Sequence, residues 1–102
     1  VIVDQIPQKS CLWLAVECEG RQISTIEGLQ NASIQQAFSE KWAFQCGYCT
    51  PGFIMNCHAL VEAYPEATDV EIENWLQSNI CRCTSYQEIK EAIQSVLAEK
   101  KN

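Results

Sequence analysis

QCGYCTPGF, residues 45–53, sets Cys46 and Cys49 two residues apart and directly ahead of a proline. NICRCTSY, residues 79–86, sets Cys81 and Cys83 around a single arginine. Thirty-one residues separate Cys49 from Cys81. The pattern between and beside these pairs is helical. Pro51 is the residue type favoured at the first helical position, with Thr50 as its cap. Ile54, Cys57, Val61 and Tyr64 then share one face, and Pro65 marks the stop. Upstream, Ile34, Ala37, Phe38 and Trp42 fall at core spacing over residues 33–44. Downstream, TDVE (68–71) is a capping box ahead of Ile72, Trp75 and Leu76. SYQE (85–88) is a second box ahead of Ile89, Ile93, Val96 and Leu97. Four short helices with short links predict a bundle.

On this map the first thiol pair lies between the first two helices and the second pair between the last two. Packing the two helical hairpins with those turns at one end brings four sulfurs together. The helix starts that follow offer free backbone N–H groups and partial positive charge, which favour thiolate over thiol. Gly47 permits the tight turn that two ligands so close together require. Four convergent thiolates predict a metal site. Zinc with four cysteines is the commonest structural site, although its usual knuckles are two C-x2-C pairs. A two-iron cluster also takes four cysteines, two on each iron. Spacing alone leaves both readings open.

The first 26 residues read differently. VIV, then CLWLAVECEG, a turn at Glu19-Gly20, and QISTI predict a β-hairpin whose first strand is an apolar run buried on both faces. A lone hairpin is marginal in water, so a cover is expected.

Composition narrows the function classes. The chain has 102 residues, 47% of them hydrophobic, enough for one compact domain or two small ones. Its formal charge of −6 argues against a nucleic-acid partner, which would call for a basic patch. No apolar run approaches a membrane-spanning length, and VIVDQIPQKS lacks a basic leader. Seven cysteines could mean a disulfide scaffold, but the odd count and the long amphipathic patterns fit thiolate metal ligands in a reducing, cytoplasmic compartment. There is neither a nucleophile–base pair nor a phosphate-cradling glycine loop. Cys57 reads as a small core residue, Cys18 as incidental, and His58 carries no assignment. Trp42 and Trp75 read as packing; Arg82 and Tyr48 admit both a surface role and a role beside the site.

QCGYCTPGFIM followed by NICRCTSYQEIKEAI resembles the 2Fe-2S-binding helical domain of the molybdenum hydroxylases, the xanthine dehydrogenase family. End to end, the chain is similar to the small iron–sulfur subunit of that family. The resemblance implies an α+β, mainly α fold: a helical 2Fe-2S-binding bundle over residues 28–102, preceded over 1–27 by the closing β-hairpin of a plant-type ferredoxin domain. By position, Cys46, Cys49, Cys81 and Cys83 would ligate one 2Fe-2S cluster, and Gln45 and Cys83 would approach the pterin. Cys11 would be the last ligand of a second 2Fe-2S cluster, whose other three belong to an upstream C-x4-C-x2-C stretch that this sequence lacks. The implied function is electron transfer in an oxidoreductase. Electrons would leave molybdopterin in a large partner subunit and pass through the clusters to a FAD-binding subunit or another acceptor. The alternative is a structural four-cysteine zinc module mediating protein contacts. One departure stands beside the site: Ser85 replaces the usual glycine after CRCT. Serine caps well but tolerates positive φ poorly, so a shifted turn is expected there.

Overall fold

A computed structural model describes residues 1–101. Its helices are α1 (Ser33–Glu40), α2 (Thr50–Ala63), α3 (Asp69–Leu76) and α4 (Tyr86–Lys101). Three two-residue strands, β1 (Ile2–Val3), β2 (Ile6–Pro7) and β3 (Ile23–Ser24), form an antiparallel sheet in the order β2-β1-β3. The architecture is therefore α+β with the helices dominant. None of the helices is long and apolar enough to cross a membrane.

The bundle is built around α2, which buries eight of its residues, Phe53 to Cys57 and Ala59 to Val61. Ile34, Ala37 and Phe38 of α1, Ile72 and Leu76 of α3, and Ile89, Ile93, Val96 and Leu97 of α4 close on it in one apolar core. Cys57 lies in that core and is fully buried; burial pushes its thiol far above the ordinary range, so it packs as a small hydrophobe. A buried amide fastens α2 to the end of α3. Asn56 Nδ2 donates to Ser78 Oγ at 3.1 Å and to Asn79 Oδ1 at 2.7 Å, while Trp75 Nε1 donates to the Asn56 carbonyl at 2.9 Å.

The α3 capping box forms as read. The Glu71 N–H donates to Thr68 Oγ1 at 3.3 Å, and the Thr68 N–H donates back to Glu71 Oε2 at 2.7 Å. Thr68→Ala should cost about 1 kcal/mol in urea unfolding, a typical loss for a threonine cap. A loss under about 0.3 kcal/mol would mean that the α3 start is held by packing alone.

Four expectations are corrected. The stretch from Cys11 to Cys18 is not a strand: it forms two 3-10 turns, Ser10–Leu12 and Ala15–Cys18, with Leu12, Leu14 and Val16 exposed. The hairpin is instead β1–β2, turned by Asp4 and Gln5, whose φ values of 48° and 72° give the left-handed pair of a primed turn. α1 stops at Glu40 rather than Phe44. Trp42 takes a left-handed φ of 54° beyond it, and the Ala43 N–H donates to the Phe38 carbonyl at 2.9 Å, the 6→1 bond of a Schellman ending. That ending turns Trp42 out to 75% exposure and seats Ala43 in the core in its place. At α2, the helix begins with Thr50, Cys49 takes the cap position, and Thr50 Oγ1 caps nothing. The box at residues 85–88 does not form, because Ser85 Oγ accepts no hydrogen bond.

Candidate metal centre

Two loops meet at one end of the bundle. Residues 41–49 join α1 to α2, and residues 77–85 join α3 to α4. Gln45 ties them together, its amide Nε2 donating to the Cys83 carbonyl at 3.1 Å. Within the first loop Gly47 adopts a φ of 87°, where a side chain would be strained, and its carbonyl accepts from the Thr50 N–H at 3.2 Å. Within the second, Thr84 takes the left-handed φ of 63°. The serine that follows is thereby spared it. The left-handed position of this turn is therefore Thr84 and not Ser85.

Tyr86, which the motifs left unassigned, organises the second loop. Its hydroxyl accepts the Cys81 N–H at 2.7 Å, and its ring meets Phe53 edge-on at 6.1 Å. The signal was present: an aromatic two residues after CRCT, opposite the aromatic that follows CTPG.

The four predicted cysteines lie on these two loops, and the acidities of Cys49 and Cys83 each respond to a cysteine of the facing loop, Cys49 to Cys81 and Cys83 to Cys46. Cys81 is buried, Cys49 and Cys83 are half-buried, and Cys46 is exposed. Their acidities diverge. Burial first, and then the Cys81 thiol and the charges on Cys81 and Cys46, push Cys49 up to about 11. Cys81 moves down, chiefly because the Ser85 N–H donates to its Sγ at 3.5 Å. For Cys83 the Cys46 N–H pulls downward, but the Cys46 thiol, burial and like charge on Cys46 and Cys81 together outweigh it, and its pKa rises.

This donor set fits a cationic sulfur-ligated group. Sulfurs that raise one another's pKa by like-charge repulsion are relieved by positive charge placed between them. Among the described residues no three Cys, His, Asp or Glu side chains gather as a lone ion would require. Two pairs of cysteines suit a two-iron cluster, which takes two thiolates on each iron. Two buried hydroxyls beside the sulfurs, Thr50 Oγ1 and Ser85 Oγ, have no hydrogen-bond partner in the protein. Leaving such a group unpaired costs about 1–3 kcal/mol, so acceptors at this end of the bundle would satisfy both.

The remaining singled-out residues are placed as follows. Gln45 is exposed and Tyr48 stands 95% exposed in the ligand loop. Arg82 points to solvent. Cys11 is exposed on its 3-10 turn, bordering a groove shared with Gly52, Met55 and Asn56 at the start of α2. Cys18 is turned inward on its own segment, its thiol donating to the Leu14 carbonyl at 3.8 Å.

Comparison with known proteins agrees with this chemistry. Residues 25–94 match the 2Fe-2S binding domain family. The chain is 43% identical over 96 residues to the nicotine 6-hydroxylase small subunit of Paenarthrobacter nicotinovorans, covering 91% of this chain and 58% of that protein. It is 43% identical over 95 residues to the iron-sulfur-binding subunit of the xanthine dehydrogenase of Escherichia coli, covering 87% of this chain and 60% of that protein. The quinoline 2-oxidoreductase structure from Pseudomonas putida 86 superposes with a TM-score of 0.87 at 36% identity, over 96% of this chain and 64% of that one. The chain thus spans about three-fifths of the length of these two curated relatives.

Proposed function

The chain belongs to the 2Fe-2S binding domain family, and on that premise we propose that Cys46, Cys49, Cys81 and Cys83 hold one 2Fe-2S cluster as part of an electron-transfer subunit of a molybdenum-dependent hydroxylase. The observation that supports this reading is that the two loops carrying the four cysteines meet ahead of α2 and α4, tied by the Gln45 amide to the Cys83 carbonyl. Bound there, a two-iron cluster takes up and releases one electron at a time. The residues of the chain hold it and set its surroundings. Cys81 is the thiolate the fold favours most, and the tie from Gln45 to the Cys83 backbone keeps the loops in register for the second pair.

The partner reading follows from the same end of the molecule. Trp42, Tyr48 and Ile80 stand exposed on the two loops and their flanks, an apolar rim suited to burial against a larger subunit. That subunit carries the molybdopterin, with Gln45 and Cys83 nearest the pterin. Residues 1–27 are read as the closing part of a plant-type ferredoxin domain, with Cys11 the fourth ligand of a second 2Fe-2S cluster. The exposure of Leu12, Leu14 and Val16, and the groove that Cys11 shares with Gly52 and Met55 at the start of α2, support this reading. From there electrons pass to a FAD-binding subunit or another acceptor. The relatives named above act on nicotine, xanthine and quinoline by their names; the substrate of this chain's complex belongs to the large subunit's pocket.

Anaerobic reconstitution tests the reading. Residues 1–102 should bind about two irons and two sulfides and turn brown, with one paramagnetic species on reduction. A colourless product holding zinc in preference to iron would overturn the cluster assignment. About four irons would overturn the separate placing of Cys11.

A further inference from the structure

Ser85 holds the most confined hydroxyl beside the sulfurs. It is 1% exposed, and its Oγ has no hydrogen-bond partner. It occupies the cap position of α4, since its carbonyl accepts the Ile89 N–H at 3.0 Å, yet its side chain leaves the first-turn N–H groups alone. A serine that caps would turn its oxygen to the N2 or N3 amide. A serine kept for packing alone would be replaced at no cost by alanine. Ser85 fits neither description, because its buried oxygen is left with unmet demand. Its backbone N–H already donates to Cys81 Sγ at 3.5 Å, which fixes the residue directly against that sulfur.

We propose that Ser85 is a potential-setting residue, its hydroxyl donating an O–H···S hydrogen bond to the Cys81 sulfur, or to an adjoining sulfide, once the cluster is bound. The proposal rests on the ligand assignment above. Reduction adds one electron, and with it one negative charge shared by the sulfurs. A donor aimed at them stabilises the reduced form more than the oxidised form and so raises the potential. At neighbouring Thr50 the hydroxyl is also unpartnered, but Thr50 as a whole is only half-buried. Ser85 is therefore the residue whose removal has the clearest consequence.

The test uses the iron-loaded full chain, with dithionite as electron donor in a mediated titration and iron counted in each variant. Ser85→Ala removes the hydroxyl and little else. At a fixed potential near the wild-type midpoint, its oxidised-to-reduced ratio should rise about tenfold, which for a one-electron couple is a midpoint about 59 mV lower. Ser85→Gly should fall with alanine, and Ser85→Thr, which keeps the hydroxyl, should return towards wild type. Resonance Raman should show part of the deuterium-sensitive shift of the Fe–S stretches disappearing in Ser85→Ala. Loaded alanine and glycine variants that titrate with wild type would overturn the proposal while leaving the ligand assignment intact. Failure of both to load iron would make Ser85 structural and would also overturn it. Wild-type chain that takes up no iron, or Cys81→Ser that keeps the wild-type spectrum, would bring down the ligand assignment itself.

Discussion

Cys81→Ser should leave the protein unable to hold its metal, with bound iron falling from about two per chain to near none and the visible absorption lost. Cys81 is the buried member of the four, and the fold itself lowers its pKa through the Ser85 N–H. Serine keeps the size but replaces a soft, ionised sulfur with a hard oxygen that stays protonated at neutral pH. The partner sulfur, Cys49, is pushed up to about 11 in the free protein and needs the positive charge of a bound metal to ionise, so it cannot compensate alone. Cys57→Ser is the matched control. It alters a cysteine eleven residues from Cys46 in sequence but sealed in the core, and it should retain the iron at a modest packing cost. Equal iron in the two variants would sink the ligand assignment.

Phe53→Ala should be the most damaging single change to the apo fold, at about 3–5 kcal/mol. Phe53 is fully buried in the first turns of α2, and its ring supports Tyr86 edge-on. The cavity would open against the core and, through Tyr86, withdraw support from the Cys81 N–H. With domain stabilities of about 5–15 kcal/mol, this loss removes about a fifth or more of what holds the chain together. Urea unfolding of wild type and variant at matched slope measures it. A shift below about 1 kcal/mol would show that the helices do not close on Phe53. The chain would then have to be packed differently at its metal end.

The helices were legible because the apolar period runs through α2, α3 and α4 and is reinforced by Pro51 and Pro65 at the ends of α2 and by the capping box of α3. The cysteine pairs were legible because ligand spacing is set by local chain geometry. What was misread depended on information from outside each segment. CLWLAVEC has the letters of a buried strand, but a strand needs neighbours, and here Leu12 stays 76% exposed on a 3-10 turn. The apolar period of α1 ran on to Trp42 because periodicity does not register where a helix stops. A Schellman ending without glycine gives no letter to warn of it. At Ser85 the capping-box letters were present and the box was not, since the same hydroxyl is drawn into the buried space beside Cys81. Tyr86 was missed because a phenol's hydrogen bond to a loop amide leaves no periodic trace.

The meeting of the two cysteine loops at one end of the bundle has a thermodynamic corollary. Whatever bridges both pairs acts as a crosslink, closing the whole stretch of chain from the first pair to the second. Closing a loop of that length removes freedom from the unfolded chain, and binding to the folded form alone adds stability by mass action. Metal content and melting temperature are then one equilibrium observed in two ways, since ligand formation and folding share their free energy. A chain stripped of iron loses its clamp at one end of the bundle first. Hydrogen exchange in the 41–49 and 77–85 loops should therefore accelerate before the buried amides of α2 and α4 respond.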